Sequence, residues 1–243
     1  MSRTPRVYFD GPLNKGRRIL LPADTSLYII RVLRLGSGEP LVVFNGSGFD
    51  YAARLGKARK EGAEVEILAK GDEEAAAPLT IRLALGVSRS QKMDLALQKA
   101  VELGVSEIAP LFTERTVVKL SEERLEQRLT HWRHVVISAC EQSGRRRVPP
   151  VNNARPYTEW LAEWRGYGVL LDPEAGDSLP ELATPRQGVT LLVGPEGGFT
   201  AAEKTLAREA GMSPVRLGPR VMRTETAPLA AIAAMQVLWG DFR

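Results

Sequence analysis

Two turns in the last third of the 243-residue chain combine glycine with residues that can bind a ligand or move a proton. The first, which we call the glycine turn (residues 194–199), lies between the apolar run Val189–Val193 and a helix start at Thr200. Gly194, Gly197 and Gly198 allow close backbone approach to a ligand, and free amides at the helix start can receive a polar or anionic group. The spacing is that of neither a P-loop nor G-x-G-x-x-G. A tight strand-to-helix connection is the structural alternative.

The second, which we call the arginine turn (residues 217–225, LGPRVMRTE), also follows a predicted strand and precedes a predicted helix. It places Arg223, Thr224, Glu225 and Thr226 beside the helix start. In open α/β sheets ligands bind beyond the carboxyl ends of strands, so the two turns can form opposite walls of one site. The structural alternative is that Thr224 or Thr226 caps the helix while Arg223 pairs with Glu225 in solvent.

The elements around these turns have the pattern of a parallel sheet covered by helices, because apolar runs alternate with amphipathic segments. The predicted strands are Leu79–Val87, Ile108–Phe112, Gly168–Asp172, Val189–Gly194 and Pro214–Leu217. The predicted helices are Gln91–Leu103, Ser121–Ser143, Thr158–Trp164, Ala201–Ala210 and Ala227–Trp239. Gly104 and Gly144 stand where left-handed C-caps belong, and Thr200 with Glu203 forms a capping-box pattern.

The first 70 residues have a different sequence pattern, in which short apolar runs are separated by glycine-rich turns. This pattern predicts a small β-rich module. Its predicted strands are Arg6–Phe9, Gly16–Leu21, Leu41–Phe44, Phe49–Leu55 and Ala63–Leu68, with one short helix at Ser26–Leu35. The acidic, alanine-rich segment 71–78 is predicted to be a linker. The chain is therefore divided into residues 1–70, the linker 71–78 and an α/β domain at 79–243.

The positive charge is concentrated in the N-terminal module. The formal net charge is +4, but residues 1–70 carry 12 basic and 7 acidic residues, and the remainder carries 21 and 22. A local positive excess is typical of a surface that meets a polyanion. Charge alone does not separate RNA binding from a compositional arginine bias.

Compartment and metal chemistry are constrained by what the sequence contains. Cys140 is the single cysteine, no apolar leader is present, and the most apolar late stretch, Ala227–Met235, is shorter than the ~18 residues of a membrane span. We expect a cytoplasmic protein without membrane association. His131 and His134 lie three residues apart on one helix but lack a third ligand, so no metal site is expected.

At the two turns the sequence resembles the RsmE family of ribosomal RNA methyltransferases, which belongs to the SPOUT superfamily of S-adenosylmethionine-dependent enzymes. The resemblance covers the whole chain in order and spacing. Its words are QKAVELGVSEIAPLFTERTVV (98–118), ACEQSGRRRVPPV (139–151), LLVGPEGGFTAAE (191–203) and LGPRVMRTETAPLAA (217–231). The chain departs from the family at Val221–Met222, where Ile-Leu is commoner, and near Tyr28, where a histidine is frequent.

The resemblance implies a PUA-like N-terminal β-barrel, a C-terminal α/β domain with a parallel sheet and a trefoil knot, and a homodimer. It also implies methylation of a uridine N3 in small-subunit (16S) ribosomal RNA with S-adenosylmethionine as the methyl donor. The residues it assigns to the cofactor pocket are Leu171, Gly194, Pro195, Glu196, Gly197, Gly198, Leu217, Gly218, Met222, Thr226 and Ala227.

The chemistry of that reaction requires loss of the uridine N3 proton or stabilisation of the resulting charge. We predict Arg223 as the stabilising cation, and Glu225 either as the proton acceptor or as the residue that orients Arg223. The predicted RNA contacts are Arg3, Arg6, Arg89, Lys92, Arg145, Arg146 and Arg147. The last three also suit a helix C-terminus, which is a purely structural role.

Two other functions fit the same residues. One is a non-catalytic RNA-binding factor for ribosome assembly that uses the basic module alone. The other is a nucleotide-binding enzyme that acts on a small molecule.

Overall fold

The computed structural model describes residues 4–59, 61–117 and 121–242, and Arg3, one of the predicted RNA contacts, lies outside them. The chain divides into two compact units. Unit 1 contains the chain up to Ala75 together with Cys140–Val148, and unit 2 contains Ala76–Ala139 and the chain from Pro149 onward. A segment from the middle of the sequence therefore completes the N-terminal unit.

Unit 1 is built on a five-stranded sheet, as the sequence predicts. Its strands are β1 (Arg6–Tyr8), β2 (Arg18–Leu20), β3 (Pro40–Phe44), β4 (Phe49–Arg59) and β5 (Gly62–Glu73), in the spatial order β1-β3-β4-β5-β2. All pairs are antiparallel except β1 with β3. Residues 71–73, which were expected in the linker, continue β5 because Glu73 pairs with Phe49 of β4.

The segment predicted as a single short helix at Ser26–Leu35 forms two successive helical elements. Helix α1 (Ala23–Leu27) is followed by a π-helical turn, Tyr28–Val32. Ile29 is fully buried in the core of unit 1, so one side of the turn anchors it to the sheet. Two β-branched isoleucines at positions 29 and 30 lower the preference for a long regular helix here.

The segment Cys140–Val148 is joined to the sheet of unit 1 by charged contacts. Arg6 and Arg146 both donate to the Asp50 carboxylate, at 2.5 and 3.2 Å. Arg147 pairs with Glu73, and the main-chain N–H of Arg146 donates to Glu74. These arginines have internal partners, and their predicted contact with RNA stays a prediction.

Unit 2 is built on a six-stranded sheet in which every recorded strand pair is parallel. Its strands are β6 (Ile81–Gly86), β7 (Val105–Phe112), β8 (Arg155–Pro156), β9 (Gly168–Leu171), β10 (Val189–Val193) and β11 (Met212–Val215), in the order β11-β9-β10-β6-β7-β8. Five of the six were predicted. The two-residue β8 was missed because it carries no apolar run.

The helices that flank this sheet are α2 (Ser90–Glu102), α3 (Glu122–Ser143), α4 (Tyr157–Glu163), α5 (Ala201–Glu209) and α6 (Thr226–Trp239). Each begins and ends within a few residues of its predicted bounds. Gly104 and Gly144 have φ of 91° and 89°, as expected for residues that end α2 and α3 in the left-handed conformation. No helix in the described ranges is both long enough and apolar enough to cross a membrane.

The strand order decides where the two chemistry-bearing turns lie. Strands β11, β9 and β10 are consecutive neighbours and point the same way. The glycine turn follows β10, the arginine turn follows β11, and Asp172 follows β9. The parallel arrangement brings all three strand ends to one edge of the sheet.

We predict that Asp50→Asn lowers the free energy of unfolding of unit 1 by about 2 kcal/mol, because the Arg6 guanidinium is only 8% exposed and would lose its anionic partner. The magnitude is reduced from that of a fully buried pair because Asp50 is partly exposed. Asp10→Asn, an exposed carboxylate of the same unit, is the control. Thermal and urea unfolding measure both variants, and equal stability of the two would contradict the assignment.

Candidate active site

The glycine turn is fixed by the start of α5. The Thr200 hydroxyl accepts a hydrogen bond from the Glu203 N–H at 3.3 Å, and the Glu203 carboxylate accepts one from the Thr200 N–H at 2.8 Å. This confirms the predicted capping box. The other Glu203 oxygen accepts the Glu114 N–H at 2.9 Å, although Glu203 is 2% exposed. One buried carboxylate thus orders the turn and the chain after β7 together.

Two glycines of this turn are required by its geometry. Gly198 has φ of 66°, a left-handed conformation that glycine adopts without strain. A Cβ on Gly197 would lie 2.9 Å from the Cβ of Arg115. The Arg115 guanidinium donates to the Gly197 carbonyl at 3.0 Å, so this arginine covers one side of the turn.

The arginine turn is tied directly to the glycine turn. The Thr224 hydroxyl donates to the Gly194 carbonyl at 2.9 Å. The first turn of α6 uses the Arg223 carbonyl as acceptor for the N–H groups of Thr226 and Ala227, and no side chain caps the helix. The threonine at 224 therefore joins two loops, and the alternative in which Thr224 or Thr226 caps α6 is not the one formed.

The three strand ends enclose a cavity of about 520 Å³, within the range of small-molecule sites. Among the residues predicted to hold a cofactor, all but Thr226 line it. They are Leu171, Gly194, Pro195, Glu196, Gly197, Gly198, Leu217, Gly218, Met222 and Ala227. Thr226 is the exposed first residue of α6. The two turns are thus opposite walls of one cavity.

Sequence reasoning missed a charged group in this wall. Asp172 is 1% exposed and accepts hydrogen bonds from Lys204 at 2.8 Å and from Arg208 at 3.2 Å. Lys204 also donates to Glu174 at 2.6 Å. Burial disfavours the ammonium, but the bonds to Asp172 and Glu174 outweigh it and raise the pKa of Lys204. The sequence feature that could have indicated this group is the position of Asp172, at the end of a predicted strand and directly before a proline.

A second charged group lies where the start of α2 meets both turns. Lys92 Nζ is 3.7 Å from Glu196 Oε1 and 4.0 Å from Glu225 Oε2. The carboxylates are 19% and 13% exposed, and each has one buried oxygen without a hydrogen-bond donor. Lys92, predicted to contact RNA, is thus placed between two carboxylates at the cavity.

The charge of Glu196 is stabilised by its surroundings. Burial raises its pKa, but the Arg89 and Glu196 N–H groups, Lys92 and Ser88 together lower the pKa below its ordinary value. The Arg89 N–H donates to Glu196 Oε1 at 3.0 Å. Glu196 is therefore an ionised carboxylate at neutral pH, suited to a cationic ligand group.

The Arg223–Glu225 ion pair of the structural alternative is not formed among the described residues. Within the described ranges, the ion pair recorded for Glu225 is with Lys92, and none joins it to Arg223. Arg223 lines the cavity and is exposed. Of the two roles considered for Glu225, orienting Arg223 has no contact to support it.

No cluster of three His, Cys, Asp or Glu side chains suited to a metal ion occurs in the residues that the structure describes. The cavity wall contains both charged and apolar residues. Apolar walls come from Leu171, Val193 and Met222. The charged residues form two groups, Lys204 with Asp172 and Glu174, and Lys92 with Glu196 and Glu225.

Comparison with known proteins identifies the family. The family model described as RNA methyltransferase domain matches residues 75–236, and that described as RNA methyltransferase PUA domain matches residues 21–68. A Ribosomal RNA small subunit methyltransferase E of Buchnera aphidicola is 34% identical over 99% of this chain and 98% of its own. The chain belongs to the ribosomal RNA small subunit methyltransferase E family, abbreviated RsmE.

Two solved structures of similar proteins contain a bound cofactor. An RsmE protein from Neisseria gonorrhoeae, solved with S-adenosylmethionine bound, is 42% identical with a TM-score of 0.91 over 99% of this chain and 100% of its own. A Legionella pneumophila protein solved with the same cofactor is 34% identical with a TM-score of 0.93 over the same shares. The RsmE fold, with its PUA-like first domain and its parallel sheet, is therefore confirmed for this chain.

We predict that Glu203→Gln lowers the free energy of unfolding of unit 2 by roughly 1–3 kcal/mol, because the amide nitrogen cannot accept one of the two backbone N–H groups. Glu209→Gln, at the exposed end of the same helix, is the matched control and should unfold as the parent protein does. Urea unfolding measures both. An unchanged midpoint for Glu203→Gln would show that the carboxylate does not order the turn.

Proposed function

We propose that this chain transfers the methyl group of S-adenosylmethionine to N3 of a uridine in small-subunit ribosomal RNA. The observation that carries the proposal is the cavity between the two turns, with ten of the eleven residues assigned to the cofactor in its wall. The RsmE relatives are methyltransferases of that RNA by name, and two similar proteins bind this cofactor.

The residues of the cavity fit the cofactor. When bound, S-adenosylmethionine supplies a methyl group on a positively charged sulfur. Leu171, Leu217 and Met222 offer apolar surface for its adenine, and the glycine turn offers backbone amides. Glu196 provides a negative charge that compensates a cation.

The proton on uridine N3 must leave before N3 can act as a nucleophile. Glu225 is our proposed acceptor, because one of its carboxylate oxygens is buried and receives no hydrogen bond. In this step the N3–H bond breaks, its electron pair stays on N3, and the proton forms an O–H bond with Glu225. Lys92 Nζ lies 4.0 Å from this oxygen, Glu225 Oε2, and Lys92 lines the cavity.

The negative charge left on the uridine is shared by its two carbonyl oxygens. Arg223 is our proposed partner for one of them, since this residue lines the cavity and has no carboxylate partner among the described residues. Removing one preorganised hydrogen-bond donor from a site of developing negative charge costs about 2.7–4 kcal/mol in other enzymes.

We also propose several properties of the assembly. A homodimer is supported by α6, which exposes Val237 and Leu238 although most of its residues are apolar. Membership of the family supports a trefoil knot in unit 2, a ribosomal particle as the RNA substrate and action in the cytoplasm. The rival function is a non-catalytic RNA-binding assembly factor. It is not favoured, because the cavity keeps the charged groups around Lys92 and Lys204.

Calorimetry separates these functions directly. We predict that the chain binds S-adenosylmethionine with micromolar or tighter affinity and does not bind ATP, because the glycine turn lacks the lysine of a phosphate loop. An assembly factor that has lost the methyl donor would bind neither compound. Binding of ATP alone would support the nucleotide-dependent enzyme and contradict the proposal.

We predict that Glu225→Gln lowers kcat by 100-fold or more and leaves cofactor affinity within about twofold, because the amide cannot accept the proton. Glu209→Gln serves as the control. Turnover is measured on small-subunit RNA from a strain lacking the gene, with mass mapping to locate the methyl group. Unchanged kcat would remove Glu225 from the reaction.

We predict that Arg223→Ala lowers kcat by about 10²–10³-fold and affects turnover more strongly than cofactor binding. Arg220→Ala, in the same turn, is the matched control for loss of a positive charge near the cavity. A variant with normal turnover and weakened cofactor binding would show that Arg223 serves the cofactor and not the uridine.

A further inference from the structure

The π-helical turn of unit 1 leaves a group of large apolar side chains in solvent. Tyr28 is 48% exposed, Val32 is 65% exposed, and Leu27 and Leu33 beside them are also exposed. Scattered apolar residues on a surface are ordinary, but consecutive ones on a single turn indicate a contact surface. We call this group, together with Arg31 and Arg34, the Tyr28 face.

The backbone of the turn presents these residues outward. The Leu33 N–H donates to the Tyr28 carbonyl at 3.0 Å, a spacing of five residues that widens the helix. Ile29 is buried in the core and fixes the inner side. Leu27 and Arg31, like Tyr28 and Val32, are four residues apart and so lie on neighbouring parts of the outer side. Single π-helical turns occur frequently at functional sites.

A strained residue ends the same turn. Arg34 has φ of 57°, and it is the non-glycine residue with positive φ in the part of the chain that the structure describes. Such a conformation is uncommon for arginine and costs free energy that the surrounding structure must supply. The strained Arg34, the exposed Tyr28 and the π-helical turn therefore lie within one short segment of the chain.

The charges of this face differ from those of the predicted RNA contacts. Arg6, Arg146 and Arg147 are bound to carboxylates of unit 1. Arg31 and Arg34 are exposed, and neither has an ion pair among the described residues. Asp24, one turn earlier, is the exposed acidic residue nearest in sequence, so the local charge remains positive.

We infer that the Tyr28 face binds an unpaired nucleotide of the RNA substrate. The Tyr28 ring stacks on the base, and Arg31 and Arg34 contact the flanking phosphates. Stacking on an exposed aromatic side chain requires a base that is not already stacked, so single-stranded RNA is the matching ligand. The inference rests on the proposed RNA substrate and adds the surface of unit 1 that meets it.

Tyrosine variants test the stacking. Binding of a fluorescein-labelled single-stranded oligouridylate and of small-subunit RNA is measured by anisotropy. Tyr28→Ala is expected to weaken binding by about 5- to 100-fold. Tyr28→Phe should bind as the parent does because it keeps the ring. Tyr28→Leu should bind as weakly as Tyr28→Ala; if leucine restores binding, the contact is not base stacking and the inference is overturned.

Arginine variants test the phosphate contacts. Replacing Arg31 and Arg34 together by alanine should reduce the slope of log affinity against log salt by roughly 1 to 2 for single-stranded RNA. Arg59→Ala is the control, because Arg59 is similarly exposed but paired with Glu64. An unchanged slope in the double variant overturns the inference.

The two proposals fail in different ways. Cofactor binding, measured by calorimetry, should be unchanged in every variant of the Tyr28 face, and methylation at saturating RNA should retain the parent kcat with a raised KM. If the parent methylates ribosomal RNA and Tyr28→Ala binds RNA normally, only the inference is overturned. If RNA binding depends on Tyr28 but no methylation occurs, the proposed function fails and the surface assignment stands.

Discussion

The parallel direction of three neighbouring strands is the constraint on which the rest of the site depends. Val215 of β11 is in register with Leu171 of β9, and Leu170 of β9 with Leu192 of β10. Because these strands end at the same edge, residues about 20 to 50 positions apart in sequence line one cavity. An antiparallel β11 would place the arginine turn at the opposite edge, and no single cavity would form.

Two small sets of hydrogen bonds convert this shared edge into a defined shape. Glu203, almost fully buried, accepts backbone N–H groups from the starts of two different segments. Thr224 donates to the carbonyl of Gly194 and so fixes the spacing between the two turns. Charged residues then occupy fixed points around the cavity, with Lys204 held by Asp172 on one side and Lys92 between two glutamates on another.

Local pattern was sufficient to predict most elements of unit 2 and the glycine turn. The capping box at Thr200 and the glycine at 198 are set by neighbouring residues, so the sequence shows them directly. The role of Thr224 and the position of Lys92 depend on contacts between segments distant in sequence, which no local pattern records. The same limit applies to Arg146, whose partner Asp50 is 96 residues away. The π-helical turn at Tyr28 was predicted only as a short helix, because its apolar spacing resembles one.

A structure of this chain with S-adenosylhomocysteine bound tests the central claim most directly. The account predicts the ligand between the glycine turn and the arginine turn, in contact with Leu171 and Met222, with Thr224 still bound to the Gly194 carbonyl. A ligand bound elsewhere, or turns that separate when it binds, would contradict the account.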